Sequence, residues 1–210
     1  MYLYLFGSLF RGEFDQYSDI DLLLIKDKKE HYLSIDLDKY SIYNEERIED
    51  LWKEGNPFAW HLYFESRLIF STDKSDFIRD LGVPNNYKNL KNDLNKFYKL
   101  YIDSLHSLKE STDSRDFDLS VIFLAMRNFA SCYSLGSLYQ YNFSRNSAIT
   151  LQKDCLKIPI DCFSILERTR ILSTRGIGNN VSEIEYECVL KELDNISNWF
   201  QLINNKTSNE

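Results

Sequence analysis

Residues near the start of the chain have the types and spacing needed for metal-dependent phosphoryl chemistry. Gly7 and Ser8 are followed, after ten residues, by Asp19 and Asp21, and Asp36 lies on a later apolar run. Because side chains alternate along a strand, Asp19 and Asp21 would project from the same face. Crowded carboxylates repel one another unless a cation compensates their charge, and Mg²⁺ prefers oxygen ligands. The pattern therefore predicts a divalent metal site able to hold nucleotide phosphates.

The residues before and after Gly7 predict a place for those phosphates. The run Tyr2–Phe6 is short, aromatic and aliphatic, which predicts a buried strand that ends at Gly7. We expect Ser8 to cap a short helix, whose free N–H groups and the Ser8 hydroxyl would form an anion-binding pocket. Arg11 is close enough in sequence to contact a phosphate, although an arginine on a short surface helix is often solvated. Gly7, Ser8 and Arg11 are the predicted nucleotide-binding residues.

Carboxylates supply the predicted catalytic and metal-binding set. Asp19 and Asp21 would hold two Mg²⁺ ions, which can stabilise the attacking and leaving oxygens of an in-line displacement. Alternation along residues 33–38 puts Asp36 and Asp38 on one face, so either could be the third ligand. The third carboxylate, Asp36 or Asp38, would hold one ion and could accept a proton from the acceptor hydroxyl.

These motifs resemble the signature of the polymerase-beta-like nucleotidyltransferase superfamily, most of all its minimal and antibiotic-modifying members. The resemblance rests on residues 6–13 and 18–23, and residues 35–37 match the strand that carries the third carboxylate. It therefore implies Asp36 as the third catalytic and metal-binding residue, with Asp38 as the competing candidate. The stretch 58–70 resembles the last strand of that domain, so the likeness covers residues 1–75. It implies binding of an NTP, ATP above all, with Mg²⁺, and transfer of a nucleoside monophosphate to a hydroxyl with release of pyrophosphate.

A change in hydrophobic period marks a second region. Gly82 and Pro84 interrupt the pattern, and after them apolar residues recur at helical spacings of three and four. Ser182 and Glu185 form a capping box that predicts the start of the last helix. The predicted helices cover about residues 94–108, 119–133, 146–157, 160–173 and 182–200.

The predicted fold class is therefore α+β. A small mixed-sheet nucleotidyltransferase domain at residues 1–82 would be followed by an all-α helical bundle at 85–204 and a frayed tail at 205–210.

The second predicted helix carries a further resemblance. Arg127 and Cys132 occupy the ends of a segment similar to the Arg-x4-His motif of HEPN helical domains, with Cys132 in the histidine position. A buried cysteine is a poor general acid or base at neutral pH. The resemblance implies a HEPN-like or kanamycin-nucleotidyltransferase-like helical domain without ribonuclease activity. We expect a structural ion pair for Arg127, with a phosphate in a cleft between the domains as the alternative partner.

Composition limits the partners and the compartment. The net charge is −7 and no run of basic residues is present, which disfavours broad nucleic-acid binding. No segment is expected to reach transmembrane length and no signal peptide is evident, so we predict a cytoplasmic protein without a membrane partner. The cysteines are widely spaced, which predicts reduced core residues rather than a zinc site or disulfide framework: Cys132, Cys155, Cys162 and Cys188.

Three functional classes are compatible with the sequence. The first is an enzyme that moves AMP to a small-molecule hydroxyl, such as that of an aminoglycoside. The second is an enzyme that modifies a protein hydroxyl, as minimal nucleotidyltransferase antitoxins do, and the third is a non-catalytic nucleotide-binding or assembly protein. The fused helical region favours the first class. The oligomeric state is left open, and a homodimer is one possibility.

Overall fold

The chain folds into two compact units. The computed structural model describes residues 1–12, 20–26, 40–111 and 113–208. The first unit comprises Met1–Lys88 and contains the sheet, and the second comprises Asn89–Glu210 and is helical. The predicted α+β class, a small mixed sheet followed by helices, is confirmed.

The sheet of the first unit is mixed. Strand β1 is antiparallel to both β2 and β4, whereas β2 and β3 are parallel. Tyr2, Tyr4 and Phe6 alternate along β1 and belong to the buried core, as the two-residue period of a strand requires. In the described residues the sheet has the order β3-β2-β1-β4, with β1 at Tyr2–Phe6, β2 at Asp21–Lys26, β3 at Tyr40–Asn44 and β4 at Ser66–Ser71.

Three helices of the first unit follow β3 and β4: α1 (Glu45–Glu54), α2 (Pro57–Glu65) and α3 (Phe77–Asp80). Asn44 caps α1 by accepting a hydrogen bond from the Arg47 N–H at 2.7 Å. Asn56 caps α2, where proline at the first helical position costs no hydrogen bond. Because Pro57–Glu65 is helical, the expectation of a strand across residues 58–70 is correct only for Ser66–Ser71.

Long helices build the second unit, and α5 lies at its centre. Residues of α5 such as Leu119, Ile122 and Phe129 are fully buried. Tyr101 of α4 stacks on Phe200 of α8 with 4.7 Å between ring centroids, and Phe129 meets the same ring at 4.6 Å. The predicted helices at 94–108, 119–133 and 160–173 are confirmed as α4 (Leu90–Glu110), α5 (Arg115–Gly136) and α6 (Ile160–Arg175), and α7 (Glu183–Leu190) and α8 (Leu193–Ser208) follow.

Helix α5 corrects one expectation from composition. It has 22 residues and a mean hydropathy of 1.2 over its most apolar window, so by length and composition it could cross a membrane. However, 72% of that window is buried inside the protein, as is usual for a core helix.

Two other helix predictions are wrong in part. Residues 146–157 form the 3-10 turns Ser147–Thr150 and Gln152–Asp154, because Gln152 adopts a φ of 48° and the Leu156 N–H bonds back to the Ala148 carbonyl at 2.8 Å. The last predicted helix begins at its capping box but is broken between Leu190 and Leu193, and nothing in the local sequence marks this break.

The tail predicted to fray from residue 205 is instead helical to Ser208. Lys206 forms an ion pair with the buried Asp154 carboxylate, and Thr207 is buried. Asp154 also accepts a hydrogen bond from the Tyr133 hydroxyl at 2.8 Å, and its carbonyl accepts one from Trp199 Nε1 at 2.8 Å. The end of α8 is therefore tied to α5 and to the loop that carries Asp154.

Candidate nucleotide site

The predicted site residues gather where strand β1 ends. Phe6, the last residue of β1, pairs with Asp21 of β2 on one side and with Ser66 of β4 on the other. Asp21 and Ser66 are the first residues of their strands. Because both neighbours are antiparallel to β1, the end of one strand and the starts of two others lie at one edge of the sheet.

Gly7 makes close contact with a carboxylate at that edge. Its φ is +79°, a left-handed conformation that side chains other than glycine rarely adopt. A Cβ built on Gly7 would lie only 2.4 Å from Asp21 Oδ2. The Asp21 carboxylate therefore lies directly against the Gly7 backbone, in space that any other residue type would fill.

The turn after Gly7 positions Ser8 differently from the prediction. Gly7–Leu9 is a single 3-10 turn, and the Phe10 N–H donates to the Gly7 carbonyl at 3.1 Å. Ser8 lies within this turn, because the capping position is occupied by Phe6, which makes no side-chain capping bond. The turn begins two residues too early for Ser8 to act as its N-cap.

Arg11 is held by a buried carboxylate. Its guanidinium forms an ion pair with Glu65 at the end of α2, and His61 Nε2 lies 2.9 Å from the same Glu65 oxygen. The side chains of Arg11, Glu65 and His61 are 16%, 10% and 14% exposed. The alternative of a solvated Arg11 is therefore wrong, since the guanidinium is mostly withdrawn from water.

Glu65 and His61 are functional candidates that the sequence analysis missed. They are separated by one helical turn on α2, and such a pair can interact on any helix. That spacing alone did not indicate that Arg11, which is 54 residues away from Glu65, completes the cluster. The His61 ring also packs edge-on against Phe6, with 5.7 Å between centroids, so this cluster lies beside the end of β1.

The predicted metal ligands are only partly described. Asp21 is present at the sheet edge, whereas Asp19, Asp36 and Asp38 lie outside the described residues and stay predictions. In the ranges that the structure covers, no group of three or more His, Cys, Asp or Glu side chains could hold a metal ion. A carboxylate against a glycine turn fits a hard cation with oxygen ligands. Ile20, the residue before β2, is 61% exposed.

Arg127 and Cys132 are structural residues of α5. Arg127 Nη2 donates to the Phe143 carbonyl at 3.2 Å, and the Arg127 carbonyl accepts a bond from the Ser147 hydroxyl at 3.0 Å. Cys132 is buried at 4% exposure. These contacts connect α5 to the following loop, and the HEPN-like character of the second unit stays a prediction.

The left-handed Gly7 turn and the Asp21 carboxylate lie together at one edge of the sheet. Residues 1–75 match the family model described as Polymerase beta, Nucleotidyltransferase. The first unit thus carries a nucleotidyltransferase domain of the polymerase-beta-like superfamily, and nucleotidyl transfer is the general function that this domain supports. The match ends before the helical unit begins. Comparison of the chain with curated proteins gives no match.

Proposed function

We propose that the protein is a Mg²⁺-dependent nucleotidyltransferase that moves AMP from ATP to a hydroxyl of a small molecule. The observation that carries the proposal is the contact between Gly7 and Asp21. A left-handed glycine lets the backbone of the turn approach a ligand phosphate, and the Asp21 carboxylate lies at the same point. The family match over residues 1–75 supports the same class of reaction.

The residues of the turn would bind and orient the donor. Ser8 in the 3-10 turn would offer its hydroxyl and N–H to the phosphates, and Arg11 would add positive charge next to them. Asp21, with Asp19 and Asp36, would hold the metal ions. When bound, Mg²⁺ would neutralise charge on the phosphates and on the departing pyrophosphate. Orientation and electrostatics would supply most of the rate acceleration.

Calorimetry with ATP and MgCl₂ tests the donor half of the proposal. The full chain should bind ATP in the presence of Mg²⁺, and Asp21→Asn should weaken binding or lower turnover by about 100-fold or more, because a metal ligand supplies several kcal/mol of charge stabilisation. Asp80→Asn removes an exposed carboxylate at the end of α3 and is the matched control. Equal behaviour of the two variants would contradict the proposal.

Label transfer from α-³²P-ATP tests the acceptor. The small-molecule proposal expects label on members of a panel of aminoglycosides and other polyols, and none on protein. Label on a co-purified protein would instead favour the protein-modifying alternative. Tight ATP binding with no transfer to either class would favour a non-catalytic nucleotide-binding protein.

The third carboxylate has its own test. Asp36→Asn should reduce turnover about as strongly as Asp21→Asn, whereas Asp38→Asn should have a small effect. The reverse order would assign the role to Asp38, and two mild effects would remove both residues from the site.

A further inference from the structure

Two cysteines of the helical unit lie in direct contact. Cys162 is on the first turn of α6 and Cys188 is near the end of α7. Their sulfur atoms are 2.7 Å apart, and the Cys162 sulfur also lies 3.5 Å from the Cys188 carbonyl oxygen. That separation exceeds a covalent S–S bond of about 2.05 Å by less than 1 Å. No disulfide bond joins the two cysteines in the structure.

The two thiols differ in access to solvent. Cys162 is buried at 1% exposure, whereas Cys188 is half-buried. Burial, together with the neighbouring Cys188, raises the pKa of the Cys162 thiol to about 12. Cys188 is therefore the sulfur that a reagent in solution can reach first, and Cys162 is placed to react with it afterwards.

The cysteine pair lies where α6 packs against α7, and an ion pair also joins these two helices. Arg168 of α6 forms an ion pair with Glu185 of α7 at 2.9 Å. The two cysteines are 26 residues apart, so a bond between them would close a loop that includes most of α6 and the connection to α7. The two sulfurs thus lie at the interface between the consecutive helices α6 and α7.

We propose that Cys162 and Cys188 form a reversible disulfide that responds to the ratio of oxidised to reduced low-molecular-weight thiol. In the first step the Cys188 thiolate attacks one sulfur of glutathione disulfide, which releases one glutathione thiolate and leaves a mixed disulfide on Cys188. The Cys162 thiol then loses its proton to water, and its thiolate attacks the Cys188 sulfur and expels the second glutathione as a thiolate. Two protein thiols are oxidised and one glutathione disulfide is reduced to two glutathiones.

The contact favours ring closure over a lasting mixed disulfide. Because both sulfurs are held together by the fold, the second step is intramolecular and has a high effective concentration. Protein disulfides that form in a reducing compartment are usually transient and redox-sensing. Closing the loop should stabilise the helical unit by restricting the unfolded chain.

The full-length protein equilibrated in glutathione buffers tests the proposal. After acid quenching and alkylation, intact mass and peptide mapping should show one Cys162–Cys188 disulfide whose fraction rises with the proportion of glutathione disulfide. The oxidised protein should unfold at a temperature higher by about 10 °C. The double variant Cys132→Ser/Cys155→Ser keeps the pair and should form the same disulfide, with the same rise in unfolding temperature relative to its own reduced form.

Single variants separate the order of the steps. Cys162→Ser should accumulate a glutathione adduct on Cys188, because the first step can occur and the second cannot. Cys188→Ser should take up no glutathione at Cys162 and should show no temperature shift, and it also serves if Cys162→Ser folds poorly. Absence of the disulfide in fully oxidising buffer, or a disulfide that involves Cys132 or Cys155, would overturn the proposal.

Discussion

The two units use buried carboxylates in different ways. In the first unit, Glu65 has Arg11 and His61 as partners, and all three side chains are mostly withdrawn from water. In the second unit, Asp154 pairs with Lys206, whose side chain is 42% exposed. The first cluster fixes a glycine turn beside the candidate nucleotide site, whereas the second ties the end of a helix to the bundle core.

The two clusters should respond differently to removal of the carboxylate, because their cationic partners differ in exposure. A partially exposed lysine can turn towards water, but a buried guanidinium cannot do so without rearrangement. A third buried carboxylate, Asp118, accepts hydrogen bonds from the hydroxyls of Ser107 and Ser114 at 2.8 and 2.7 Å. Two hydroxyl groups satisfy the Asp118 carboxylate between α4 and α5, whereas Glu65 pairs with a charged side chain next to the Gly7 turn.

Among these variants, Glu65→Gln should have the largest effect on the free energy of unfolding. The change takes a charged partner from the buried Arg11 and should destabilise the first unit by about 3 kcal/mol. Hydrogen exchange resolved by unit would measure the loss, with the second unit unaffected. Affinity for ATP and Mg²⁺ should fall by about tenfold if Arg11 contacts phosphate. An unchanged stability would show that this ion pair does not anchor the turn.

Asp154→Asn should lower the free energy of unfolding by less, about 2 kcal/mol. Lys206 can be solvated, and an amide oxygen can still accept the hydrogen bond from the Tyr133 hydroxyl. Burial opposes ionisation of Asp154, but the hydrogen bonds from Lys206 and Tyr133 lower its pKa overall. The loss should appear in the helical unit alone, with ATP affinity unchanged. A larger loss than that of Glu65→Gln would reverse the comparison.

Gly7→Ala and Gly12→Ala form a matched pair of changes in the glycine turn. Both residues have a left-handed φ, +79° and +70°, but a Cβ at Gly12 meets nothing within 4 Å. Gly12→Ala should therefore cost only about 1 kcal/mol of backbone strain. Gly7→Ala should cost about 2 kcal/mol and abolish ATP binding, because its Cβ would displace the Asp21 carboxylate. Equal losses in thermal unfolding and ATP titration would mean that the Gly7–Asp21 contact has no role.

Glu185→Gln should have the smallest effect on the free energy of unfolding, and the size of that effect should depend on pH. The hydrogen bond from Arg168, with those from Ser182, lowers the pKa of Glu185 from 4.5 to about 2. The unfolded carboxylate binds a proton more readily, so this contribution is complete above pH 4.5 and is lost as the pH falls towards 2. Glu185→Gln should cost about 1 kcal/mol at neutral pH, since the pair is partly exposed.

Urea unfolding at a series of pH values measures this change. Loss of stability between pH 4.5 and 2 should be shallower in Glu185→Gln than in the wild type. Glu187→Gln, which changes an exposed carboxylate of the same helix, is the control. Parallel acid curves for all three proteins would contradict the assignment.

Short-range patterns in the sequence were enough for much of the fold. The α+β class, the apolar stripes of α4, α5 and α6, and the capping box of α7 follow from spacings of two to four residues. The Gly7 turn and Asp21 were also found from local motifs, because glycine marks a left-handed turn and strand alternation orients a carboxylate. The break before α8 and the loop at 146–157 were missed, since neither contains a local stop signal where the helix ends.

Only the tertiary structure brought distant partners together. Arg11 meets Glu65 across 54 residues, and Cys162 meets Cys188 across 26, so no periodicity relates either pair. The packing of helices on the sheet and on each other determines which buried charged groups pair. An unpaired charge is costly only once burial has removed it from water. The sequence by itself determined the candidate donor site, and the packing of α2 and α6–α7 determined which residues support that site and which thiols can react.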